Sequence, residues 1–428
     1  MKNNKKYALF FIILFFLIVL IVLFLNLSYE LEGLNIKNPC RTYCKNNKNM
    51  CTAYCKQHCK SFYNANCKKK PVKTNPIKPN PIKKNPYPPM PRPAYLLTFD
   101  NILQNIDKIP QVAFQSAQDL IQYNVSNNIY KPIPINIHIG PTSTYLGDPT
   151  PFVERIQQLW AQNMGPSKSD YVDSVHLFIF NSADAPKTVE TMKSLKFTDF
   201  THIVMEDAKN IGSCDTFIDY LTNRVGSIYS IQPQNNYNSN TSERYWYGFN
   251  YFHEFTHAYQ HYLYRNYVDL NDLRTMNQAL FNFLPCWFHE GQPHVTSYYC
   301  GSDYNIDLTR NRNYAMNDIA YNYTDTQLQT KVTNLIMDQK PICYEGAGKQ
   351  DSDYSLGYGI GALILEIIVS IGGFQSTMDL IQYGATNLSI TFPMAFEHVY
   401  GIPWTQAVPI IVQVLQAEGK IYRSENPR

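Results

Sequence analysis

Basic charge is scarce over most of this chain. Of its 37 Lys and Arg residues, 17 fall before residue 95, where Glu30 and Glu32 are the only acids. From there to the end, 20 basic side chains face 32 acidic ones, a net of −12. A nucleic-acid binder needs a basic face, and the acidic balance of the body argues against nucleic acid as its partner. Long charge-free apolar runs are also few. "ALFFIILFFLIVLIVLFL", Ala8 to Leu25, is one. "GIGALILEIIVSIGG" is shorter and is interrupted by Glu366, so it predicts a core helix with a buried, paired acid. Paired C-x2-C motifs are missing, although six of the ten cysteines crowd into 28 residues. That absence excludes the common zinc modules built on such pairs.

The run Ala8 to Leu25 just reaches the length of a spanning helix. Its flank "LNLSYELEG" has no small-residue cleavage pattern, so the segment reads as an uncleaved anchor over residues 8–27. Lys2, Lys5 and Lys6 precede it and Glu30 and Glu32 follow. The positive-inside bias puts residues 1–7 in the cytoplasm and the body on the lumenal or extracellular side, or on a particle surface.

Cys40, Cys44, Cys51, Cys55, Cys59 and Cys67 form a module over residues 38–67. Cysteines four apart share a helix face, and a unit this small needs disulfides in place of a core. The bland role is a knot that spaces or protects the body, with protein-partner binding as the main alternative and metal binding as the remaining one. Residues 68–94 form a linker with nine prolines among repelling lysines. Polyproline II geometry, ~3.1 Å per residue, extends it to roughly 80 Å.

Residues 95–428 read as one α+β body, with a mixed N-terminal half and a helical C-terminal half. "ILQNIDKIPQVAFQSAQDLIQY", "FVERIQQLWAQNM" and "CDTFIDYLTNR" carry helical patterns. "IPINIHIG", "SVHLFIFNS" and "THIVMED" read as strands, and "GSIYSIQP" as an edge strand. Asn124, Asn240, Asn322 and Asn387 head N-x-[ST] sequons, for which surface positions and glycans are expected in an external body.

The chemistry concentrates in "YGFNYFHEFTHAYQHY". His253 and His257 are four apart, so on a helix both rings reach one ion. Glu254, one step round, is placed to take a proton from water rather than to ligate. A catalytic zinc needs three protein ligands and one open position. His261 is a further turn along the same helix, too far to complete the sphere. That leaves His289, Glu290 and His294 in "LPCWFHEGQPHVTSYY".

This segment resembles the second zinc helix of the gluzincins, HExxH peptidases with a glutamate as third ligand. Trp287, Glu290 and Gly291 match their W-x-x-E-G signature. The resemblance implies a zincin-like metallopeptidase domain and one Zn2+ held by His253, His257 and Glu290. His294 then becomes an outer group or a substrate contact. Tyr354 and Gly357 fit the Y-x-x-G of aminopeptidase N relatives, which makes Tyr354 the residue that steadies the oxyanion. "FPMAFEHVYGIPWTQAV" is similar to the segment that closes such domains, so the likeness runs roughly from Gly226 to Glu418. Gln260 and Leu263 stand where metzincins need Gly and His. Three departures mark this chain. Thirty-two residues separate His257 from Glu290, longer than in aminopeptidases, Pro293 replaces the usual Ala, and the G-x-M-E-N segment of exopeptidases is missing.

The expectation is a membrane-tethered zinc endopeptidase acting on a peptide or protein, with Glu254 as base. A surface attachment or structural protein on an inactive peptidase-like fold is the rival from another class, and a zinc hydrolase of non-peptide substrates is a third. On the anchor reading, protease added to the cytoplasmic face of intact membranes leaves the body undigested. Digestion of the body from that face, or a mature N-terminus beyond residue 25, would overturn the topology.

Overall fold

The apolar runs of the N-terminal half form a four-stranded sheet in the computed structural model. The structure describes residues 89–143, 147–164, 172–209, 214–219, 224–231, 248–264, 280, 282–301, 308–337, 352–386 and 390–427. The chain divides into Met1–Lys78 and Pro79–Arg428, and every described residue belongs to the second unit. The anchor, the cysteine module and all but the end of the linker lie outside the described residues. That end, residues 89–94, already packs on the body, with Met90 against the core and Arg92 donating to the Leu97 carbonyl at 3.1 Å. The packed body thus begins a few residues before 95.

The first elements are α1 (Ile109–Ser126), β1 (Ile135–Ile139), α2 (Thr150–Trp160), β2 (Ser174–Phe180), α3 (Ala185–Ser194), α4 (Thr201–Asp207), β3 (Cys214–Asp219) and β4 (Arg224–Ser230). The sheet order is β1-β2-β4-β3. β1, β2 and β4 run parallel, and β3 runs antiparallel to β4. β2 and β4 are buried from their second residue onward, which is why "SVHLFIF" is apolar almost throughout instead of alternating. One face of the sheet (Val175, Leu177, Ile179, Val225, Tyr229) joins the main core, and the other (Phe178, Phe180, Ile228) packs with Met192, Phe197 and Val204 of the α3–α4 segment.

Three sequence expectations are corrected here. "THIVMED" is the helix α4, whose Val204 covers the sheet. "CDTFID" is the strand β3, not a helix. It pairs with β4 from Cys214–Tyr229 to Asp219–Arg224, and the last pair is closed by a 2.8 Å ion pair. Pairing with an adjacent strand outweighs a local helical pattern, because propensity is worth only tenths of a kcal/mol per residue. Gly226 to Ser230 of "GSIYSIQP" belong to β4, which is interior among the described strands, since β3 pairs beyond it. A fourth correction concerns the sequons. Asn124 is fully buried and its amide donates to the carbonyls of Gln158 at 2.7 Å and Leu159 at 3.2 Å. It ties α1 to α2 and is closed to a glycan. Asn322 is exposed, and Asn240 and Asn387 lie outside the described residues.

From residue 248 the described structure is helical, as expected: α5 (Phe249–Leu263), α6 (Cys286–Gly301), α7 (Leu308–Asn317), α8 (Asp325–Met337), α9 (Ser352–Gly372), α10 (Phe374–Thr386), α11 (Phe392–Tyr400) and α12 (Trp404–Glu425). α5 packs against β3, α2 and α6, and α6 packs most extensively against α9. Among the described residues no single helix is long and apolar enough to cross a membrane. The apolar α9 is a core helix, as its interruption by Glu366 predicts. Glu366 accepts from Tyr299 at 2.8 Å and from Arg312 at 2.8 Å, and Arg312 also reaches Glu418 at 2.5 Å. One partly buried guanidinium therefore ties α7, α9 and α12 together.

α6 and α9 meet backbone to backbone. A Cβ on Gly291 would stand 2.6 Å from the Gly361 carbonyl carbon, and one on Gly361 would run into the Trp287 carbonyl. Glycine at both positions is what allows the approach. Gly361→Ala is expected to destabilise the body by about 1–3 kcal/mol, the usual cost of overpacking. A urea midpoint equal to wild type would show that the two helices separate freely.

Candidate metal centre

α5 begins at Gly248, whose left-handed φ of 91° turns the chain into the helix. Thirteen of its 15 residues are buried, so the helix runs through the body and not across its surface. His253 and His257 therefore meet other helices. Their Nε2 atoms lie 3.1 Å apart, and Glu290 of α6 brings Oε2 to 3.5 Å from the first and 3.4 Å from the second. Two ligands held ~2.0–2.1 Å from a tetrahedral ion are themselves roughly 3.3–3.4 Å apart, so the three spacings suit a shared cation.

Burial sharpens this fit. Glu290 has no exposed surface, and its Oε2 has no hydrogen-bond donor. A buried acceptor left unpaired costs about 1–3 kcal/mol, more for a charged one. One cation among the three atoms would remove that cost. His253, His257 and Glu290 can hold a metal ion, and among the described residues they are the one group of His, Cys, Asp and Glu whose ligand atoms converge in this way.

Two of the three atoms facing away from the centre, on Glu290 and His257, are tethered. His289 Nδ1 lies 3.2 Å from Glu290 Oε1, which leaves Oε2 for the ion. His257 Nδ1 lies 3.0 Å from Gln260 Oε1. The charges follow the same geometry. Burial opposes ionisation of Glu290, yet His257, His253 and His289 hold its carboxyl well below the usual range. Burial lowers His253 to about 4, whereas at His257 the pull of Glu290 outweighs burial and raises the ring to about 9.

Glu254 is one residue along and turns elsewhere, as predicted. Its Oε1 accepts from the Cys214 thiol at 3.1 Å, so it sits at the start of the edge strand β3. Burial pushes its carboxyl up to about 8, with Asp215 adding to the shift. The carboxylate is thus next to the converging atoms without being one of them.

The other candidates separate. His261 stays outside the group, with its ring 6.0 Å from that of His289. His294 also lies outside the group, but its ring is 4.9 Å from that of His253 and its buried Nδ1 finds no partner among the described residues. The Tyr354 side chain lies outside the described residues. Tyr358, one turn further along α9, is seen at the site, with its ring parallel to His253 at 6.1 Å and against His294 at 5.1 Å. The sequence pointed to no role for Tyr358, Cys214, Gln292 and Thr377, and marked Gln260 only as a departure from the metzincin pattern. Tyr358 was within reach of a sequence reading, since it shares a helix face with Tyr354. Cys214 was not, because its segment carried a helical pattern.

Comparison of the chain with protein-family models, with curated proteins and with solved structures finds no match. The geometry alone therefore defines the centre, and its weakest single support is the carboxylate arriving from α6. Glu290→Ala is expected to abolish stoichiometric binding of added Zn2+, read by metal analysis after gel filtration. A variant that kept one ion per chain at unchanged affinity would remove Glu290 from the ligand set and bring His294 forward.

Proposed function

We propose that this chain is a zinc-dependent peptidase of the gluzincin type, tethered to a membrane by residues 8–27 and acting as an endopeptidase. One observation carries the reading. A buried His–His–Glu group suited to a tetrahedral ion has a separate buried carboxylate, Glu254, immediately beside it. A structural metal site has no use for the fourth group, whereas water-activated hydrolysis needs it.

Zinc bound by the three ligands would supply Lewis acidity, polarising a carbonyl and bringing the pKa of water towards 7. The chain's own residues do the rest. Glu254 takes the proton of the attacking water and later returns it to the leaving amine. A carboxyl raised towards neutrality by burial is suited to both transfers. β3 offers a place for the substrate. It is the edge of the sheet among the described strands and begins at Cys214, in contact with Glu254. An extended peptide can add to such an edge through its backbone, which favours peptides over small non-peptide esters. On the motif, Tyr354 donates to the developing oxyanion, while Tyr358 is the tyrosine whose ring lies beside His253. The intact ligand set and base disfavour a retired fold kept for attachment.

Glu254→Gln separates these readings. Glutamine keeps the shape and can still bond water, but it cannot take a proton. The variant is expected to bind Zn2+ as wild type does and to lose about 10²–10⁴ in turnover of a peptide library. Activity within a few-fold of wild type would remove Glu254 as the base. Loss of zinc as complete as in Glu290→Ala would make it a ligand. A wild-type chain that binds zinc but cleaves no peptide would favour the attachment protein.

A further inference from the structure

His257 is held by a chain of buried amides that ends on another helix. Gln260 Oε1 faces His257 Nδ1 at 3.0 Å. The other end of that amide, Nε2, lies 3.2 Å from the backbone carbonyl of His289 and 2.9 Å from Gln292 Oε1. Gln292 Nε2 then donates to Thr377 Oγ1 at 2.9 Å, and Thr377 donates to the Phe374 carbonyl at 2.8 Å. Gln260, Gln292 and Thr377 have no exposed surface.

The order of donors and acceptors leaves one orientation. A carbonyl only accepts, so the Gln260 atom facing the His289 carbonyl is the NH2 group. Its oxygen must then face His257, and Nδ1 must carry a proton. With Nδ1 committed to Gln260, Nε2 is the nitrogen that points at His253 and Glu290 and gives up its proton to a metal.

Pro293 explains why the His289 carbonyl is available. In a helix that carbonyl would accept from the backbone N–H of residue 293, four residues on. Proline has no N–H, and its ring crowds that same carbonyl, four residues back, and pushes it outward. The proline inside α6 thus exposes the one acceptor that fixes the Gln260 amide. The same proline is the departure from Ala noted in the sequence.

We infer that Gln260 is a positioning residue, fixed by Gln292, Thr377 and the His289 carbonyl that Pro293 frees, and that this clamp sets the His257 tautomer for metal binding. The inference rests on the reading of His253, His257 and Glu290 as a metal centre. It adds a tether between α5, α6 and α10 that controls affinity without touching the ion.

The test uses the full chain, stripped with chelator and titrated with Zn2+ against a chromophoric competitor, with the melting temperature of the stripped chain measured alongside. Gln260→Leu and Gln292→Leu are expected to weaken zinc binding, the first by about 10–100-fold, the usual range for an outer-sphere partner. Pro293→Ala returns a backbone donor to the His289 carbonyl in competition with Gln260 and restores a good helix former. It is expected to weaken zinc binding while the stripped chain melts no lower than wild type. A merely structural role would move affinity and melting together, so affinities that track melting across the three variants would overturn the inference. So would zinc affinity within about twofold of wild type in Gln260→Leu, against the expected range. Failure of the wild-type chain to bind zinc would instead reject the metal centre itself.

Discussion

Three buried atoms with nothing but one another for partners set the terms for the body. His253 Nε2, His257 Nε2 and Glu290 Oε2 lie within 3.5 Å of each other. Polar atoms are tolerated there only if a cation or a shared proton satisfies them. Holding them in place takes two helices whose axes cannot drift. α5 supplies a fixed four-residue spacing, and α6 supplies a carboxylate whose depth is set by its contact with α9. Gly291 and Gly361 make that contact possible. The glycine after Glu290 therefore serves backbone packing, and through packing it serves the ligand beside it.

Around this centre outward-facing polar atoms are taken up by neighbouring side chains, and the chain through Gln260 ends on backbone carbonyls. His289 takes up one oxygen of Glu290, and Gln260 takes up the far nitrogen of His257. Each contact removes an alternative orientation, so the remaining lone pairs converge. The more distant cluster of Arg312, Glu366, Glu418 and Tyr299 likewise satisfies its charges across helices. The sheet contributes differently. Its edge strand β3 brings Cys214 against Glu254, which links the N-terminal half to the chemistry of the helical half.

How far the sequence could be read depended on the range of the interactions. Periodicity is local, so β1, β2, α2 and the helices from residue 248 were legible. Where a tertiary neighbour outweighed the local pattern, the reading failed. "CDTFID" became a strand because β4 was beside it, and "THIVMED" became a helix because the sheet needed cover. Asn124 fits the sequon pattern, but the packing of α1 on α2 buried it.

The sequence by itself determined that His253 and His257 share a helix face, that Glu254 points off that face, and that Glu366 is a buried, paired acid. These follow from a period of 3.6 residues and from the cost of burying charge. It also narrowed the third partner to three residues, and the family resemblance selected Glu290. Only the tertiary structure decided that Glu290 and not His294 reaches both histidines, that Tyr358 lies beside His253, and that Gln260, Gln292 and Thr377 form one chain. Such contacts join residues 32 to 105 positions apart. No local periodicity encodes them, because they depend on where two helices cross and on which carbonyl a proline leaves free.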